Sequence, residues 1–148
     1  MRTKILPPTY LLAALIAMAA LHFLLPLAKM IATPYNYLGI AAIVAGVGIS
    51  SWASCLFNRA DTTVKPFEES RSLVTEGPYR VSRHPMYLGM AVALAGAAVV
   101  LGTVTPALVV VPYVLVTDRI FIVDEEKMME ETFGDAYRDY RKRVRRWL

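Results

Sequence analysis

The chain has 148 residues, 56% of them hydrophobic, with a mean hydropathy of +0.44 and a formal net charge of +4, which is more apolar than a soluble domain of this length needs. One cysteine and two histidines exclude an internal disulfide and cannot by themselves build a structural zinc site, so no metal is expected. Basic residues stand between or beyond apolar runs, and residues 1–60 contain no Asp or Glu, a distribution that points the positive charge at a membrane surface and excludes nucleic acid.

The first apolar run has no small-residue cleavage site, so it is expected to remain as a helix. Residues 10–28 carry no charge over 19 positions, about 28 Å as a helix against a bilayer core of about 30 Å. Residues 37–57 give a second uncharged run of 21, in which Gly39, Ala42, Gly46, Ser50 and Ser54 form a smooth face for a neighbouring helix. The polar segment 58–85 is expected to be an ordered cytoplasmic lid or platform. Residues 86–117 are uncharged over 32 positions, about 48 Å if one helix, too long for one crossing. Gly102, Thr103, Thr105 and Pro106 are turn and helix-start signals, so a tight hairpin of spans 86–101 and 106–123 is predicted. Gly89, Ala93, Gly96 and Val100 give the third span its own small-residue face.

After the fourth span, residues 124–147 read as one amphipathic helix, with Met129, Phe133, Tyr137, Tyr140, Val144 and Trp147 at spacings of three or four. Its early turns are acidic and its last turns basic, the order the helix dipole favours. The basic, Trp-ended part suits an anionic lipid surface. With this layout fifteen of the sixteen Lys and Arg residues share one side, Lys29 alone facing the other. The expected protein is therefore an all-α, multi-pass integral membrane protein, one domain over 1–148, with about four spans and both termini cytoplasmic.

Residues that could carry chemistry fall in two stretches, LVTEGPYRVSRHPMYLG (73–89) entering span three and DEEKMMEETFGDAYRDYRKRV (124–144) leaving span four. The hairpin returns both to the same face of the membrane. Together they supply cationic groups in Arg80, Arg83 and His84, carboxylates in Glu125 and Glu126, and aromatic rings in Tyr79, Tyr87, Tyr137 and Tyr140.

RHPMYLG preceded by LVTEGPYR, with TTVKPF upstream and a Glu-Glu pair, Phe-Gly and two tyrosines downstream, resembles the isoprenylcysteine carboxyl methyltransferase family and its prokaryotic relatives, including the phospholipid N-methyltransferases. The resemblance covers roughly residues 61–148 and implies an S-adenosylmethionine pocket between the loop before span three, its first turn, and the Glu-Glu pair. It places cofactor contacts on Val74, Gly77, Pro78, Tyr79, Arg83, His84, Pro85, Tyr87, Leu88, Gly89, Glu125 and Glu126, extending to Tyr137 and Tyr140. Arg83, Glu125 and Glu126 are the catalytic candidates, either glutamate being the base if the acceptor is an amine or thiol. The implied acceptor is lipidic or membrane-bound, first an isoprenylcysteine-type carboxylate, with phospholipid amines and hydrophobic thiols as alternatives.

The cofactor's chemistry suits these residues: its carboxylate needs a donor such as Arg83 or His84, its ribose hydroxyls suit Glu125 or Glu126, and its sulfonium suits aromatic faces. Each residue also has a plainer reading, as a positive-inside anchor, a dipole-complementing carboxylate, an interfacial aromatic or a packing notch. A nicotinamide-dependent membrane reductase and a non-catalytic scaffold are the competing function classes. His22 is expected to hydrogen-bond between helices and Cys55 to pack in the interior. Gly46-Val47-Gly48 sits in an apolar helix with no preceding strand and is not a dinucleotide loop. Asp118 and Arg119, charged near the inner end of span four, are candidates for contact with substrate.

Overall fold

The computed structural model describes residues 6–60 and 72–148, which fold into helices with no strand among them. Residues 61–71 of the polar stretch, which include the TTVKPF motif, lie outside the described residues. In chain order the helices are α1 (Pro7–Leu24), α2 (Leu38–Arg59), α3 (Pro85–Leu101), α4 (Val104–Thr117), α5 (Val123–Phe133) and α6 (Asp135–Arg143). A π-helical turn, Asp118–Ile122, joins α4 to α5. Short 3-10 turns precede α2 and α3 at Tyr35–Tyr37 and Gly77–Arg80. Among the described residues three helical stretches are long and apolar enough to cross a membrane, Pro7–Leu24, Tyr35–Arg59 and Val104–Phe133, and α3 is a shorter apolar helix of 17 residues.

The two small-residue faces meet each other. A Cβ at Gly46 would fall on the backbone of Gly89 and Ala93, and one at Gly39 on Gly96 and Val100. With no side chains between them, α2 and α3 touch backbone to backbone. Ser50 Oγ donates to the Met86 carbonyl at 2.9 Å, pinning the register. On the other flank of α3, Leu94 and Ala98 pack with Ala14 and Met18 of α1 and Tyr113 of α4. Many large side chains point outward, among them Ile16, Val44, Leu108 and Val111, each at least 60% exposed. An outer surface this apolar is matched to lipid.

The predicted hairpin is present. Gly102 ends α3 at φ 69, its N–H bonded to Ala98 O at 3.0 Å, and the extended Thr103 starts α4. Helix α4 begins at Val104, two residues before the expected Pro106, because the turn needs only the left-handed glycine and one extended residue. The connection between α1 and α2 crosses this turn: Met30 N–H donates to Gly102 O at 2.8 Å, and His22 Nδ1 lies 2.9 Å from Thr103 Oγ1, the interhelical bond expected of that histidine. These contacts close one end of the bundle. Residues 72–84 and 118–148 gather at the other.

Two expectations are corrected. The amphipathic stretch 124–147 is not one helix, because Gly134 at φ 52, ψ −121 breaks it into α5 and α6, in a backbone region that a side chain disfavours. Helix α6 stops at Arg143, and residues 144–148 run back as an extended strap along Ser82 and Arg83. Cys55 is exposed on the outer face of α2 rather than packed inside.

Candidate active site

The helix α3 starts at Pro85, which needs no N–H in a first turn and holds His84 in a non-helical conformation just outside it. Tyr87 then lies on the inward face, packed with Phe121 and Ile122 of the π-helical turn. Because α4 continues through that turn into α5 without a break, Glu125 and Glu126 are delivered directly opposite His84 and Tyr87. The result is a buried polar cluster at the membrane end of the bundle.

Glu125 accepts from Tyr87 Oη at 2.5 Å and lies 3.4 Å from His84 Nδ1. Glu126 lies 2.9 Å from Arg83 Nη2 and 3.3 Å from His84 Nε2, with both the Arg83 and Glu126 side chains only 8% exposed. Arg146, from the strap, forks onto Glu126 through Nε at 3.2 Å and Nη2 at 2.5 Å, and its Nη1 reaches Asp118 Oδ2 at 3.2 Å. Trp147 Nε1 donates to Asp118 Oδ1 at 3.0 Å. The strap itself is tied to the loop before α3, with Arg83 N–H donating to Arg145 O and Ser82 Oγ to Arg146 O, both at 3.0 Å.

Charge follows from these contacts. Burial pushes His84 down, but its hydrogen bonds to Glu125 and Glu126 and their charges outweigh it and raise it above its ordinary 6.5. Burial pushes Glu126 up, yet bonds from His84 and Arg146 and the charge of Arg83 hold it at about 2, down from 4.5. Burial raises Tyr79 and Tyr140, and Tyr137 to about 12, so all three keep their hydroxyl protons.

Of the residues expected at the site, the structure brings Arg83, His84, Tyr87, Glu125 and Glu126 into direct contact. Pro85 is buried behind them at the first turn of α3, and Leu88 N–H bonds to His84 O. Tyr79 and Tyr140 stand alongside, joined by a 2.6 Å bond from Tyr140 Oη to Tyr79 O. Val74 packs with Ala53, Phe57 and Tyr79. Gly77 takes φ +57 against Trp52 and Leu56, and the Pro78 carbonyl caps the turn by accepting from Val81 and Ser82. These three shape the loop and lie on its α2 side. Gly89 also faces α2, where its missing side chain admits Gly46 and Ser50. Asp118 turns inward to Arg146 and Trp147, while Arg119 is exposed, so the two do not act as a pair. Sequence reasoning did not find Arg146 and Trp147. The available signal was Asp118, a charge at the end of a span that required a partner.

Four buried donor atoms in this region have no partner among the described residues: Arg83 Nε and Nη1, Tyr79 Oη and Tyr137 Oη. A buried N–H or O–H left unpaired costs roughly 1–3 kcal/mol, so these atoms mark where a ligand's acceptors would sit. The guanidinium edge suits a carboxylate.

Residues 35–136 match the family model described as phospholipid methyltransferase. The chain belongs to that family. Within it, 32% identity over 114 residues relates the chain to a probable protein-S-isoprenylcysteine O-methyltransferase of Oryza sativa subsp. indica, covering 74% of this chain and 58% of the rice protein. A protein-S-isoprenylcysteine O-methyltransferase of Schizosaccharomyces pombe is 37% identical over 75 residues, 49% of this chain and 30% of its own. Methanethiol S-methyltransferase of Pseudomonas deceptionensis is 37% identical over 67 residues, 45% of this chain and 24% of its own. The fold matches the solved eukaryotic intramembrane Ras methyltransferase, isoprenylcysteine carboxyl methyltransferase, with a TM-score of 0.70 at 21% identity, over 95% of this chain and 51% of that one. The family resemblance read from the RHPMYLG stretch is thus borne out, for an integral membrane family member that spans 58% of the rice relative's length.

Proposed function

We propose that this family member transfers a methyl group from S-adenosylmethionine to a lipidic acceptor that reaches the site from the bilayer. The observation that carries the reading is the buried Arg83, held by Glu126 yet with two donor nitrogens unpartnered. S-adenosylmethionine supplies an electrophilic methyl on a sulfonium and brings a carboxylate that Arg83 is suited to bind. Glu126 holds the guanidinium in place. Tyr79 and Tyr137 offer hydroxyl donors at the same site. The fit to the donor is therefore one of charge and hydrogen-bond capacity.

The acceptor class follows from what the cluster lacks. Glu126 is held ionised by Arg83, Arg146 and its bond with His84, His84 is engaged by both glutamates, and Glu125 is occupied by Tyr87 and His84. None is placed as a general base, which argues against the base role expected for either glutamate. An acceptor already anionic needs none. An isoprenylcysteine-type carboxylate meets that requirement, and positioning and exclusion of water would supply most of the rate enhancement. A thiol acceptor is the second reading, favoured by the methanethiol methyltransferase among the relatives.

Thermal shift of the purified protein separates the function classes. S-adenosylhomocysteine at a hundred times its Kd should stabilise by roughly 2.7 kcal/mol, while NADPH should do nothing. Stabilisation by NADPH alone would turn the reading into a reductase. The site end is assigned to the cytoplasm from the Lys and Arg distribution. In a Cys55→Ser background, Lys29→Cys should react with an impermeant thiol reagent from outside intact cells and Arg143→Cys should not. The opposite pattern would invert the topology.

A further inference from the structure

We propose that Arg146 is a positioning residue for the donor site, forking across both oxygens of Glu126 so that Arg83 is restricted to a single N–H contact and its remaining N–H groups are left for the ligand carboxylate. The inference rests on the reading of the cluster as an S-adenosylmethionine pocket. A carboxylate has about four acceptor sites. On Glu126, Oε1 is reached by Arg83 Nη2, His84 Nε2 and Arg146 Nε, and Oε2 by Arg146 Nη2. The Arg146 fork makes the one contact that Oε2 receives among the described residues, and because it spans both oxygens Arg83 cannot form the two-pronged pair that guanidinium and carboxylate prefer. Arg83 Nε and Nη1 are left over as a consequence.

Each of the three Arg146 guanidinium nitrogens already meets a carboxylate, Nη1 that of Asp118 and the other two that of Glu126. Its backbone is fixed as well, since Ser82 Oγ holds its carbonyl and the next residue, Trp147, holds Asp118. The same short strap thus grips the loop carrying Arg83, the π-helical turn and α5. Without the Arg146 side chain, Oε2 opens, and rotation of Arg83 onto both oxygens would consume one of the donors now free and turn the other away from the ligand.

Calorimetric titration of the full chain in lipid nanodiscs tests this with two probes. S-adenosylhomocysteine carries the amino-acid carboxylate, and methylthioadenosine is the same nucleoside thioether without it. Arg146→Gln should weaken S-adenosylhomocysteine roughly tenfold and leave methylthioadenosine within about twofold. In an Arg83→Gln background the same substitution should have no further effect on either probe. Arg146→Lys, which keeps the charge for folding but cannot fork, should fall between wild type and Arg146→Gln, and carries the comparison if the glutamine variant does not fold. Equal loss of both probes, unaltered affinity for both, or additive losses with Arg83→Gln would overturn the proposal. A wild-type protein that bound neither probe would instead remove the donor-site reading beneath it.

Discussion

Glu126 is a buried carboxylate kept ionised by its neighbours, and His84 a buried imidazole whose pKa is raised by its own. The two signs are opposite, so together they bracket a pH window. Glu126 has a folded value near 2 against an ordinary 4.5, so its contribution is present above 4.5 and is lost as pH falls from there toward 2. That contribution is on the order of 3 kcal/mol. His84 is raised, so its contribution is complete below 6.5 and is lost as pH rises through its elevated value. The thermal midpoint should therefore be highest between about 4.5 and 6.5 and fall on both sides. His84→Gln should flatten the alkaline limb and also weaken the acid limb, because the His84 bond helps to hold Glu126 down. A midpoint that kept rising above neutral pH would contradict the raised histidine.

At the scale of helices, the α2–α3 contact sets where the site's loop begins, because Ser50 and Gly46 fix the height of Met86 and Gly89. Gly46→Val would drive a side chain into the Gly89 and Ala93 backbone, which has no rotamer to yield. Gly48, two positions on, has nothing within 4 Å of its would-be Cβ. Overpacking typically costs about 1–3 kcal/mol, so Gly46→Val should lower the thermal midpoint by several degrees, whereas Gly48→Ala should match or exceed wild type. Equal effects would place the close approach elsewhere. Helix existence was legible here because charge-free runs and small-residue spacing are one-dimensional signals, and Gly102 announced its turn. The break at Gly134 was not, since the periodicity of Met129, Phe133, Tyr137 and Tyr140 runs across it undisturbed. The pairing of residues 144–147 with Ser82, Arg83 and Asp118 joins segments far apart in the chain. No local pattern reports such a contact, which is why Arg146 was missed while Arg83, His84 and the two glutamates were found.

Taken as a whole molecule, one end of the bundle is closed by backbone bonds around Gly102, and the other gathers charged and aromatic side chains where α3 begins and α4 passes into α5. Lateral faces between these ends are apolar, so an acceptor with a hydrocarbon tail can keep that tail in lipid while its polar end meets the cluster. Each methylene left out of an apolar environment forfeits about 0.8 kcal/mol of binding, which makes tail length the variable to change. The decisive measurement is transfer of radiolabelled methyl from S-adenosylmethionine by the purified protein in bilayers into prenylcysteine, phosphatidylethanolamine and thiol acceptors of graded chain length. The account predicts label in prenylcysteine carboxylate, rising steeply with chain length and lost in Arg83→Gln. Label entering short, water-soluble acceptors as readily as long ones, or no label in any acceptor, would contradict it.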